Sequence, residues 1–144
     1  MIAKMKRKIK YIAIHCTATS QDVKVDSIKR YWKENLGWKS PGYHILIDKN
    51  GIPYYLLDFN FPSNGVKGFN FESINIAYIG GVDDKTKPFD NRTNPQKATL
   101  LNCIHEVMLW AGGKLIIQGH KDFPNVKKAC PSFDAKKEYS WINL

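Results

Sequence analysis

Cysteine is scarce in this sequence. There are three, Cys16, Cys103 and Cys130, odd in number and far apart. Such spacing does not make a disulfide framework, and with neither CxxC nor HExxH present no compact zinc motif stands out. Long apolar runs are missing too. Nothing approaches the run of about 20 apolar residues that a membrane helix needs. The start, MIAKMKRKIKYIAIHCTA, imitates an export signal, but its apolar run covers only residues 11–14 before His15. A signal segment needs about 7–15 such residues. The expectation is a protein without a signal peptide, held in the cytoplasm until something releases it. Acidic residues are few, 13 against 22 Lys and Arg, leaving a net charge of +9. That balance favours an anionic partner: nucleic acid, an acidic membrane surface or an acidic wall polymer. The cluster Lys4, Lys6, Arg7, Lys8 and Lys10 reads as a solvated, frayed start.

What remains is ordinary for a globular chain. Its 144 residues suit one domain, here 1–144 with a basic, partly mobile start over 1–8. KIKYIAIH (8–15) is a β-branched run and reads as a buried strand. In VDSIKRYWKENLGW, Ile28, Tyr31, Trp32 and Leu36 recur at helical spacing, Asp26 or Ser27 can cap the start, and Gly37 stops it. YHILID and IPYYLLD flank KNG, and Asn50-Gly51 signals a two-residue hairpin. Residues 59–72 are rich in turn formers and read as a surface loop, and SINIAYIGG (73–81) as a strand. Asn94 followed by Pro95 reads as a cap and first-turn proline of a helix ending at Gly112-Gly113. KLIIQGH (114–120) is a strand, and Asp134 caps a terminal helix. Together these give an α/β domain, a mixed central sheet flanked by helices.

Two histidines end strands, His15 and His120, and Cys130 lies in the loop after the second. A strand buried on both faces has few places for an imidazole except its end. Taken singly, each is most simply a hydrogen-bonded structural residue. Taken together, they match the three His, Cys or carboxylate ligands of a catalytic zinc, with a fourth position open to water. Lys127 or Lys128 would help form the Cys130 thiolate, and Pro131 would fix its aim. Cys16, next to His15, should face the opposite side of the strand and pack in the core. Cys103 reads as a small core residue within a helix, and His105 as a bystander.

AIHCTAT (13–19), GYHILIDKNG (42–51), GFNFESINIAYIGGVDD (68–84) and GH followed by KKACPSFD (119–134) occur in order across nearly the whole chain. Together they resemble the zinc-dependent N-acetylmuramoyl-L-alanine amidases of the phage-lysozyme type, a family shared with the peptidoglycan recognition proteins. The resemblance implies one zinc per chain, held by His15, His120 and Cys130, and cleavage of the amide between the lactyl group of N-acetylmuramic acid and the L-alanine of the stem peptide. It implies Tyr43 and Lys128 as catalytic residues that stabilise the oxyanion, although Lys127 sits beside Lys128. Relatives often carry histidine and alanine where this chain has Gly65 and Val66, so a polar contact to substrate is expected to be missing.

The implied partner is peptidoglycan, and the implied role is lysis of the wall as a phage or prophage endolysin. The loop NGVKGFN, with Asn64, Gly65, Lys67 and Asn70, is the candidate for gripping the polymer. Surface charge would assist it, since no separate wall-binding module is visible. A monomer is expected. Asp122 is read as holding its loop or a ligand histidine, and His44 as structural. The alternative is a peptidoglycan-binding module without catalysis, but members that only recognise the wall commonly lack the cysteine ligand. A nucleic-acid binder has charge in its favour and no motif.

Overall fold

A computed structural model describes residues 7–143. Its five strands are β1 (Tyr11–Cys16), β2 (Ile45–Ile47), β3 (Pro53–Tyr55), β4 (Ser73–Tyr78) and β5 (Ile116–Gly119). They form one sheet in the order β3-β2-β4-β1-β5. β1 lies parallel to β4 and β5, β2 parallel to β4, and β3 antiparallel to β2. The expected mixed sheet is present. Three helices flank it: α1 (Val25–Arg30), α2 (Asn94–Ala111) and α3 (Ala135–Glu138). None of the described helices is long and apolar enough to cross a membrane.

Alternation along the strands sorts the two faces of the sheet. Ile12, Ile14 and Cys16 of β1, Ile45 and Ile47 of β2, and Ile74, Ile76 and Tyr78 of β4 all join the core beneath Leu100, Ile104 and Val107 of α2. Each buried aliphatic side chain contributes about 1.5–3 kcal/mol. Cys103 lies in the same core, where burial pushes its thiol up to about 12. On the opposite face, Leu46, Ala77 and Ile79 pack against Ile28 and Trp32 of the first helical segment. Ala13 meets Val66 and Phe123 there. His15, two residues after Ala13, therefore faces the side that one short helix and loops cover.

Several expected boundaries move. α1 starts before Asp26 and Ser27, with Lys24 at its N-cap and no side-chain cap bond; a π-helical turn, Tyr31–Asn35, continues it. Gly37 then takes a left-handed φ of 67°, as a helix stop requires. α2 is capped by Thr93 rather than Asn94. The Thr93 hydroxyl accepts from Gln96 N–H and the Gln96 carboxamide accepts from Thr93 N–H, a reciprocal capping box with Pro95 inside the first turn. The β2–β3 hairpin closes through Asp48 N–H donating to Ile52 O (3.1 Å), so residues 49–51 form a three-residue loop. Gly51, at φ 81°, supplies the left-handed residue that such a loop ends on.

The basic start is not uniformly solvated either. The Arg7 guanidinium donates to the carbonyls of Phe59, Phe61, Asn70, Phe71 and Ser73, stitching both ends of the 59–72 loop to one cation. Lys4 and Lys6 lie outside the described residues.

Candidate metal centre

His15, His120 and Cys130 converge. One potential ligand atom from each lies within 4.8 Å of the others, and the two imidazole rings stand 4.8 Å apart, edge to face. His15 Nδ1 is 3.9 Å from Cys130 Sγ. Bond lengths typical of zinc put a tetrahedral nitrogen and sulfur about 3.5 Å apart. Two imidazoles and a sulfur, with no fourth metal-ligating group in the cluster among the described residues, therefore fit a zinc site in donor chemistry and in count.

Different elements supply each donor. His15 sits near the end of β1, buried, and donates through Nε2 to Asn75 Oδ1 (2.8 Å), which leaves Nδ1 for a cation. His120 opens the 3-10 turn His120–Asp122 directly after β5. Asp122 accepts from Gly119 N–H (2.8 Å) and fixes that turn; its carboxylate holds the loop. Cys130 is aimed by a turn tied down on three sides. Lys121 N–H donates to Cys130 O (2.9 Å), Tyr78 donates its hydroxyl to Pro131 O (2.7 Å), and Ser132 donates to Gly81 O (2.7 Å).

Burial holds both candidate ligand histidines neutral. The imidazole of His15 is lowered from about 6.5 to about 3 by burial, aided by His120 and Lys128, and that of His120 to about 4 by burial and Lys128. Both present lone pairs at neutral pH. Cys130 behaves differently. Its contact with the Cys16 thiol, then its burial, push it well above the ordinary thiol range; Lys128 pulls the other way and is outweighed. A cation entering this site must displace the Cys130 proton.

The cluster floors a pocket of about 190 Å³, walled by Trp32, Trp38 and Tyr43 with Asn64 and Gly65 at one side. Tyr43 lies 5.1 Å from the His15 ring and donates its hydroxyl to Cys16 O at 3.3 Å, a long bond. Burial first, then the two thiols, raise its phenol well above its usual range. Lys128, not Lys127, is among the pocket-lining side chains.

Lys67 is exposed. The Asn70 carboxamide is turned into its own loop, accepting from Gly65 N–H (3.0 Å) and Val66 N–H (2.7 Å). His44 is buried and structural: Nδ1 accepts from Asn75 N–H (3.0 Å) and Nε2 donates to Phe61 O (2.7 Å). His105 is exposed on α2.

Sequence reasoning missed two features. Cys16 does point its side chain into the core, but its main chain serves the site: its N–H donates to Cys130 Sγ (3.2 Å) and its carbonyl accepts from Tyr43. Asn75 is the other: a lone amide within the strand SINIAY is itself a signal, because a buried amide needs partners.

The sequence and the fold are also similar to those of known proteins. The N-acetylmuramoyl-L-alanine amidase family matches residues 5–133. The endolysin of Klebsiella phage KP32 is 34% identical over 134 residues, covering 92% of this chain and 86% of that protein. The endolysin of Escherichia phage T7 is 35% identical over 136 residues, covering 93% and 87%. Among solved structures, the amidase LysC from Clostridium intestinale superposes with a TM-score of 0.78 at 22% identity, covering 96% of this chain and 87% of its own, a likeness of fold. With the family spanning most of the sequence and relatives above 30% identity along nearly all of it, this chain belongs to the N-acetylmuramoyl-L-alanine amidases.

Proposed function

We propose that the chain is a zinc-dependent amidase that cuts the bond between the lactyl group of N-acetylmuramic acid and the L-alanine of the peptidoglycan stem peptide, in the manner of a phage or prophage endolysin. The observation that carries the reading is the meeting of His15, His120 and Cys130, all within 4.8 Å, at the floor of an open pocket. Zinc held there by His15, His120 and Cys130 would supply a Lewis acid for the amide carbonyl and would lower the pKa of a water molecule.

The chain's own residues do the rest. Tyr43 keeps its proton, because burial raises its phenol far above neutral pH. It therefore acts as a hydrogen-bond donor to the developing oxyanion rather than as a base. The long bond from its hydroxyl to Cys16 O is one it can exchange for a substrate oxygen. Lys128 adds an ammonium from the pocket wall, and its charge is felt at all three candidate ligands. Trp32 and Trp38 give the pocket an aromatic lining. Asn64 and Gly65 border the reacting centre, Asn70 braces Gly65 and Val66 through their backbone N–H groups, and the exposed Lys67 offers a cation to an anionic polymer.

Mass spectrometry of digested peptidoglycan tests the assignment. New alanine amino termini are expected; new reducing sugar ends would refute it. Elemental analysis should find one zinc per chain in the wild type and none in Cys130→Ala.

A further inference from the structure

Asn75 is the one polar side chain in the middle of β4, and it is fully buried. Parallel register sets it opposite Ala13, so its side chain shares a face with His15, two residues further along β1. Its two polar atoms are both engaged, Oδ1 with His15 Nε2 (2.8 Å) and Nδ2 with Ser63 Oγ (2.7 Å).

The direction of these bonds follows from backbone groups whose roles are fixed. Asn75 N–H can only donate, and it points at His44 Nδ1 (3.0 Å); Phe61 C=O can only accept, and it faces His44 Nε2 (2.7 Å). His44 is thereby the Nε2–H tautomer. Arg7 Nη2, 3.2 Å from that nitrogen, has the Phe61 and Ser73 carbonyls as its acceptors. Ser63 Oγ, 3.2 Å from the same unprotonated Nδ1, can only donate towards it, sharing that lone pair with Asn75 N–H. The Ser63 lone pair then receives Asn75 Nδ2–H, and Asn75 Oδ1 is left to accept from His15 Nε2–H. His15 is thus held with Nδ1 unprotonated, the nitrogen that faces Cys130 Sγ.

Space completes the argument. A Cβ added to Gly65 would lie 2.2 Å from Asn75 Cγ, 2.3 Å from Oδ1 and 2.5 Å from Nδ2. Gly65 is thus required by close approach: only a residue without a side chain lets the Asn75 carboxamide reach His15.

We propose that Asn75 is the positioning residue of the first metal ligand. Its carboxamide, polarised through Ser63 and His44 by the backbone, fixes the His15 tautomer that faces the metal, and Gly65 is its steric counterpart. The inference rests on the zinc reading of the His15–His120–Cys130 cluster.

The test has two readouts. In chelator-treated protein with nitrogen-15-labelled histidine, NMR should find His15 wholly as the Nε2–H tautomer. Asn75→Leu, of similar volume but without an acceptor, should give a tautomer mixture. Competition with a chromogenic chelator should show zinc held about 10–100-fold more weakly by Asn75→Leu, the usual cost of losing such a partner, and Asn75→Asp should recover most of that loss. Gly65→Ala should weaken zinc binding alone yet add nothing in an Asn75→Ala background. If Asn75→Leu does not fold, Asn75→Ala takes its place with the same expectations. An unaltered tautomer together with zinc affinity within twofold of wild type overturns the proposal. Wild-type protein that takes up no zinc overturns the amidase reading instead, and the metal-free tautomer measurement separates the two failures.

Discussion

Tyr43 and Lys128 occupy the same pocket and are proposed to stabilise the same charge, but they are built differently. Tyr43 is wedged between the rings of His15 and Trp32 (5.1 and 5.4 Å) and has one orientation. Lys128 is an exposed cation on a loop. Removing one positioned oxyanion donor typically costs about 10²–10³-fold in turnover. Tyr43→Phe keeps the ring packing and should lose about that much in kcat while holding its zinc. Zinc lost along with activity would make Tyr43 a structural residue. Lys128→Ala should likewise keep zinc and lose turnover, whereas Lys127→Ala, outside the pocket lining, should be near wild type. Steady-state rates on purified peptidoglycan with parallel metal analysis decide both; the reverse order of the two lysines would move the role to Lys127.

At the scale of elements, the signals that read correctly were local. Alternation in KIKYIAIH sets Ile12 and Ile14 against α2 and leaves His15 on the other face. Asp134 caps α3 as expected, accepting from Lys137 N–H (3.1 Å). Where two neighbouring residues could do one job, the reading slipped. Thr93 and Asn94 are both good caps, and the deciding residue was Gln96, three positions after Thr93, which completes the box. Thr93→Ala should therefore cost about 1 kcal/mol in urea denaturation, while Asn94→Ala, already inside the helix, should be nearly neutral. Equal losses would return the cap to Asn94. What no local pattern contained was the convergence of the site. His15 and Cys130 are 115 positions apart; their residue types and their placement, at a strand end and in the loop after one, suggested a shared ion, and the order of four motifs, through resemblance, strengthened it. The Asn75–Gly65 fit was hidden for a different reason: neither residue explains the other until the loop after residue 59 is folded over β4.

For the whole molecule, the three inward histidines make metal-free stability depend on pH. His15 and His44 are buried, and burial first lowers them to about 3 and about 4 from an ordinary value near 6.5. Below 6.5 the unfolded chain binds protons that the folded chain refuses, so stability falls as pH falls. Between pH 6.5 and 5 each should lose about 1.5 kcal/mol, at 1.36 kcal/mol per pKa unit; the half-exposed His120 adds less. This window isolates them from the other titrating pairs. Asp90 and Glu138 flank Arg92, whose side chain is buried and which bonds both carboxylates. Both are lowered from ordinary values near 3.8 and 4.5, with Arg92 supplying the lowering, so their contribution is intact above those values and is lost only at more acid pH. Cys16, lowered to about 7 chiefly by its contact with Cys130, titrates above the window. Urea unfolding of chelator-treated protein should therefore show stability about 3 kcal/mol lower at pH 5 than at 6.5, with the slope m unchanged. Equal midpoints at the two pH values would mean that the imidazoles are not held neutral. A pocket that could admit protons so freely would not keep His15 Nδ1 open for a metal.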